Sequence, residues 1–141
     1  MTIRPLDHTA DVGVEITAGS PGELYAEAAV AFCETVTVPS TVRRRERRRV
    51  VKRAPDRVEL MVEWLEELLY LFDAHELVFS GAEVTLGELP DGGFELRGEI
   101  AGERFDPDRH PVKVAIKGIT YHGLEVRERA GGWWARVIFD I

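Results

Sequence analysis

Cysteine is almost absent from this chain: Cys33 stands alone among 141 residues. A single thiol excludes a disulfide framework within the chain and fits a reducing compartment. Long apolar runs are also missing. No stretch approaches the roughly 20 residues that span a bilayer. Met1-Thr-Ile-Arg-Pro-Leu-Asp-His8 lacks the apolar core of a signal peptide. We therefore expect a cytoplasmic protein with no membrane role. The usual catalytic signatures are absent too: there is no Gly-rich phosphate loop ending in Lys-Ser/Thr, no His-Glu-x-x-His, no nucleophile elbow and no paired-cysteine motif. Serine is scarce, and Ser20 and Ser80 read as a cap and a turn residue. Metal-assisted hydrolysis is the enzymatic chemistry left open.

What is present starts with charge. The net charge is −7, unevenly spread. Residues 43–53 hold eight of the 18 basic residues and one of the 25 acidic ones. The rest carries ten basic against 24 acidic residues, a net of −14. An acidic surface with one basic stripe suits a cation or a basic protein partner more than a broad nucleic-acid coat. The stripe itself has two readings. Its arginines protect an edge strand from pairing with other chains, or they bind phosphate. The first is favoured, because no aromatic residue interleaves to stack bases.

The length suits one domain over residues 1–141, with enough chain to bury a core unaided. Alternation of Val12, Val14 and Ile16 with Gly13, Glu15 and Thr17 predicts a strand. Ser20, Pro21 and Glu23 form a helix start with a capping box. The helix runs to about Val36, with Leu24, Ala28, Ala31, Phe32 and Thr35 on one stripe. One long strand follows Pro39 and ends at Arg53. Asp56 caps a second helix, with Glu59 at its capping-box position, and that helix runs to about Asp73. It is apolar at Leu60, Met61, Trp64, Leu65, Leu68, Leu69 and Phe72, wetter at Glu63, Glu66 and Glu67, and His75 follows its end. Further strands are expected at 76–88 (with a break near Ser80-Gly81), 93–101, 112–118, 121–128 and 133–140. Pro90-Asp-Gly-Gly93 and Ala130-Gly-Gly132 mark hairpins. This order predicts an α+β domain, two amphipathic helices packed on a mostly antiparallel sheet.

The residues able to do chemistry cluster near the ends: Asp7, His8 and Asp11; Asp106, Asp108 and His110; Lys117 and His122; Asp140 and Ile141. In the expected 112–118 strand, Val112, Val114 and Ile116 face the core and Lys117 points away. Asp140 and the terminal carboxylate of Ile141 are forced close by covalent geometry, and neighbouring carboxylates repel unless a cation sits between them. A third anion from Asp11 would complete an oxygen-only site suited to Ca²⁺ or Mg²⁺. Asp11, His122 and Asp140 are alternatively the core of a metal-dependent phosphoesterase. Asp106 and Asp108 read more simply as loop formers, and each histidine taken singly reads as structural.

Several blocks together resemble the archease family: His8-Thr-Ala-Asp-Val-Gly13, Gly22-Glu-Leu-Tyr25, Trp64-Leu-Glu-Glu-Leu-Leu-Tyr70, His110, Ile116-Lys-Gly-Ile-Thr-Tyr-His122 and Phe139-Asp-Ile141. Gly118 departs from the alanine common at its position. The resemblance implies a non-enzymatic activator of an RtcB-type RNA ligase, acting in tRNA splicing and RNA repair. Such a partner promotes guanylylation of the ligase and restores its turnover, and RNA is engaged only through the ligase. The resemblance further implies that Asp11, Asp140 and the carboxylate of Ile141 hold a divalent metal, Ca²⁺ or else Mg²⁺. Lys117 would be required for activation, and His8 and His122 are candidates to support the metal ligands. The Arg43–Arg53 stripe matches no motif of that family, and an RNA-binding module using it is the alternative outside it.

Overall fold

The computed structural model describes residues 11–141. Strand β1 (Asp11–Ala18) leads to helix α1 (Pro21–Val36). The Ser20 hydroxyl accepts the Glu23 N–H at 3.2 Å, and the Glu23 carboxylate reaches back to the Gly19 N–H at 3.4 Å. The expected capping box is thus present, displaced by one residue on its return bond. Helix α1 buries Leu24, Tyr25, Ala28, Ala29, Phe32, Cys33 and Val36. Ala31 and Thr35, expected on the stripe, lie at its margin. The buried face is rotated because α1 packs on strands of two sheets.

A 3-10 turn at Pro39–Thr41 follows, and strand β2 begins only at Glu46 and ends at Ala54. The long strand expected from Pro39 is therefore shorter, since Arg43 spends its N–H on the Glu103 side chain. Helix α2 (Arg57–His75) starts with Asp56 accepting the Glu59 N–H at 2.8 Å. It continues two residues beyond the expected end. His75 is its last residue, edge-on to Tyr70, and Glu76 closes it in a left-handed conformation. Strands β3 (Leu77–Glu88) and β4 (Phe94–Arg104) form the expected Pro90–Gly93 hairpin, with the register shift falling between Phe79 and Gly81. A Cβ at Gly102 would come within 1.9 Å of the Val78 carbonyl, so the close approach beside this bulge requires glycine.

The chain ends in β5 (Gly118–Ile119), β6 (Glu125–Arg129) and β7 (Gly132–Asp140). The described strands make two antiparallel sheets rather than one. In the first, β1 flanks β7 on one side while β5 and β6 share its other edge; the second has the order β2-β4-β3. The core lies between them, around both helices. Phe32 of α1 stacks on Phe79 of one sheet and meets Phe139 of the other edge-on, both at 5.8 Å. Trp64 is fully buried and donates to the Tyr25 carbonyl at 2.8 Å.

One expected strand is largely missing. Residues 112–117 pair with no strand, and Val112 is 63% exposed. The Lys113 N–H goes to the Val36 carbonyl at the end of α1 instead. With β6 occupying most of that edge of β7, only Gly118 and Ile119 find a ladder there. The expected 121–128 strand likewise begins late, at Glu125, after a turn.

Candidate functional site

Strand β7 sets the geometry. Its alternation buries Ala135, Val137 and Phe139 completely and turns Asp140 to the opposite face. Asp11, the first residue of β1, is the direct cross-strand partner of Asp140. On the other side Asp140 faces Gly118, and the Lys117 N–H donates to the Asp140 carbonyl at 2.6 Å. The fold thus brings Asp11, Asp140 and Lys117 to one end of the first sheet, with Ile141 next in the chain. The alternation at Ile116 and Lys117 holds without a ladder: Ile116 is buried and Lys117 exposed. A Cβ at Gly118 would meet nothing within 4 Å, so glycine leaves open space beside Asp140 and an alanine would fit equally well.

The Oδ1 atom of Asp140 is buried and, among the described residues, has no hydrogen-bond partner. Two like charges facing each other across a ladder are unfavourable. A buried carboxylate oxygen without a donor is costly as well. A hard cation would relieve both, and an all-oxygen donor set is what Ca²⁺ or Mg²⁺ takes. Asp11 and Asp140 therefore fit such an ion chemically.

No group of three or more His, Cys, Asp or Glu side chains placed to hold a metal occurs among the described residues. Asp11, His122 and Asp140 are thus not gathered into the three-side-chain centre that the phosphoesterase alternative requires. His122 is exposed in the turn after β5. Asp7 and His8 lie outside the described residues. Tyr121 beside His122 is 54% exposed, and its hydroxyl is pushed up, first by lost hydration and then by Glu59, Glu66, Glu63 and Asp56 around the wet side of α2.

The basic stripe is matched by acid. Arg47 reaches Glu99 at 2.9 Å, Arg53 reaches Glu95 at 2.8 Å, and Lys52 reaches Glu67 at 3.0 Å. Arg48 pairs with Glu46, and Arg44 donates to Ser80. This mixed-sign surface supports the edge-protecting reading over a phosphate track. Cys33 is a core residue as expected: it is 2% exposed, its thiol donates to the Phe79 carbonyl, and burial pushes that thiol up to about 12.

Sequence reasoning missed one cluster. Glu103, 5% exposed, accepts the Arg43 N–H at 2.7 Å, the Arg109 guanidinium at 2.5 Å and His110 Nε2 at 2.9 Å. His110 Nδ1 accepts the Asp106 N–H at 2.8 Å, so its proton sits on Nε2 and is donated to Glu103. The Arg109 hydrogen bond is the main reason the Glu103 carboxyl is held at about 2. The sequence offered little signal for it, because alternation along β4 sets Glu103 on the same face as Glu95, Arg97 and Glu99.

Fold and site define a class: a small α+β protein, two helices on antiparallel sheets, with a carboxylate pair and a lysine at one sheet end. Comparison with known proteins narrows this. Residues 4–141 match the model of the archease protein family. "Protein archease" of Methanosarcina mazei is 35% identical over 136 residues, covering 96% of this chain and 93% of the relative. "Protein archease" of Methanopyrus kandleri is 35% identical over 142 residues, covering all of both. The solution structure of Methanobacterium thermoautotrophicum protein 1598 superposes with a TM-score of 0.79 at 32% identity over 96% of each chain. The chain belongs to the archease family.

Proposed function

We propose that this protein is a non-enzymatic activator of an RtcB-type RNA ligase in tRNA splicing and RNA repair, promoting the ligase's guanylylation and turnover. The observation that carries this reading is the Asp11–Asp140 pair with its buried, unpartnered Oδ1 and Lys117 bonded to the same residue. Asp11, Asp140 and the carboxylate of Ile141 would hold a divalent cation, Ca²⁺ or Mg²⁺, with His8 and His122 steadying those ligands. A bound cation would supply positive charge where phosphate charge builds up during nucleotidyl transfer. The chain's own contribution is placement. The β1–β7 ladder holds the two carboxylates opposite each other. The Lys117–Asp140 backbone bond fixes the Lys117 backbone at the same sheet end, from which its ammonium would engage a phosphate or carboxylate as a point charge. RNA is reached through the ligase; among the described residues no helix is long and apolar enough to cross a membrane.

The test is GTP-dependent guanylylation of the cognate ligase with substoichiometric amounts of this protein. Wild type should stimulate strongly. Asp140→Ala, Lys117→Ala and a variant extended by one residue after Ile141 should not, while keeping the wild-type circular dichroism. Normal stimulation by Asp140→Ala and by the extended variant would sink the carboxylate site. Absence of stimulation by wild type would sink the activator reading itself.

A further inference from the structure

Among the described residues, three polar or charged side chains are buried: Thr37, Glu103 and His110, at 1%, 5% and 1% exposure. All three hold one segment, residues 105–117. This segment crosses from the end of β4 in the second sheet to the start of β5 in the first and contains neither helix nor strand. Connections of that length without secondary structure are uncommon in compact domains and usually serve function. Buried polar groups cost free energy unless each is hydrogen-bonded, so their concentration on one strap calls for an explanation.

The bonds run along the strap in order. The Phe105 N–H donates to the Glu76 carbonyl, and the Phe105 ring packs edge-on against Phe72. The Arg109 and His110 N–H groups close a turn on the Asp106 carbonyl at 3.0 and 2.8 Å. His110 is then clamped between the Asp106 N–H and Glu103. The Thr37 hydroxyl donates to the Pro111 carbonyl at 2.6 Å. Lys113 is bound twice to the end of α1, by its N–H to Val36 at 2.9 Å and by its ammonium to the Glu34 carbonyl at 2.7 Å. Ile116 enters the core, and the next bond is Lys117 N–H to the Asp140 carbonyl. From Pro111 to Lys113 no strand neighbour shares the load, so the strap's path depends on these side-chain anchors.

We propose that His110, Glu103 and Thr37 are positioning residues that pin the 105–117 strap and thereby present Lys117 beside Asp140. What Lys117 does once presented rests on the activator reading; the pinning does not. Removing an anchor frees the strap locally, because the two sheets and helices keep their own ladders and core. A purely structural role would instead weaken all protected amides together.

The experiment is residue-resolved amide hydrogen exchange on the full chain, comparing wild type with His110→Ala, Glu103→Gln and Thr37→Val. The last removes one hydroxyl and keeps the side-chain shape, so it folds even if the other two do not. Exchange at Lys113 and Lys117 should rise about fivefold or more, the effect of losing about one hydrogen bond. In Thr37→Val, Leu65 and Ile100 should be unchanged, and ligase stimulation should fall alongside. Unchanged exchange at Lys117 in all three variants, or a uniform rise across the core in Thr37→Val, overturns the proposal. If strap exchange responds as expected but wild type does not stimulate the ligase, the activator reading fails and the pinning stands.

Discussion

Glu103 is where single-residue chemistry has the largest reach. Its carboxyl is held at about 2 against an ordinary 4.5, chiefly by the Arg109 hydrogen bond, despite burial pulling the other way. The folded state therefore favours the ionised form. The stabilisation is full above pH 4.5 and is lost as pH falls from there through about 2. Urea unfolding measured along a descending pH series should show this acid limb in wild type and a flatter one in Glu103→Gln. In neutral buffer, Glu103→Ala should cost about 3 kcal/mol, because it strands the partners of a buried charge. Cys33 makes the opposite statement about reactivity. With its thiol buried and held up to about 12, alkylation by iodoacetamide should be slow in buffer and fast in denaturing urea. Equal rates in both would contradict the core assignment. The positions of Asp11 and Asp140 were partly legible, since alternation along Val12–Thr17 and Trp133–Asp140 put both at strand ends. Glu103 was not legible, because a glutamate in a strand normally reads as a solvent-facing residue, and its partner Arg43 is 60 residues away.

At the scale of elements, local chemistry spoke clearly wherever it was self-contained. Both helix starts carry their own caps, Ser20 and Asp56, and both hairpins carry their own turn residues. Helix α2 shows how closely such an element is then fitted. A Cβ at Gly98 of β4 would sit 2.8 Å from the Trp64 ring, which is fully buried with nowhere to retreat. Gly98→Val should therefore destabilise by about 1–3 kcal/mol in chemical denaturation. A cost under about 0.5 kcal/mol would mean that α2 can shift on the sheet. The 112–118 segment is where local pattern misled. Val112, Val114 and Ile116 alternate as a strand should, but a ladder needs a free neighbour, and β6 has taken most of the available edge of β7. The alternation survives only at its end, where Ile116 faces the core and Lys117 faces out.

For the whole molecule, the proposed cation site ties stability to binding. An ion held by the folded chain and not by the unfolded one raises the midpoint of thermal unfolding by mass action, about 2.7 kcal/mol at a hundred times the dissociation constant. Excess Ca²⁺ should thus raise the melting temperature of wild type and leave that of Asp140→Asn unmoved. In chelator, Asp140→Asn should be at least as stable as wild type, since it removes one of two facing like charges. A calcium-induced rise of equal size in both proteins would place any bound ion elsewhere. The sequence by itself determined the class and most of the parts: two capped amphipathic helices, the hairpins, the acidic balance with its single basic stripe, and the motif set that marks the family. These are written in residues adjacent in the chain or one helical turn apart. Only the tertiary structure decided that the strands divide into two sheets, that the stripe's arginines meet glutamates of neighbouring elements, and that Asp11 lies opposite Asp140. It alone turned 105–117 into a pinned strap. Those outcomes depend on which strand occupies which edge and on partners far apart in sequence, and hydrophobic spacing carries no record of either.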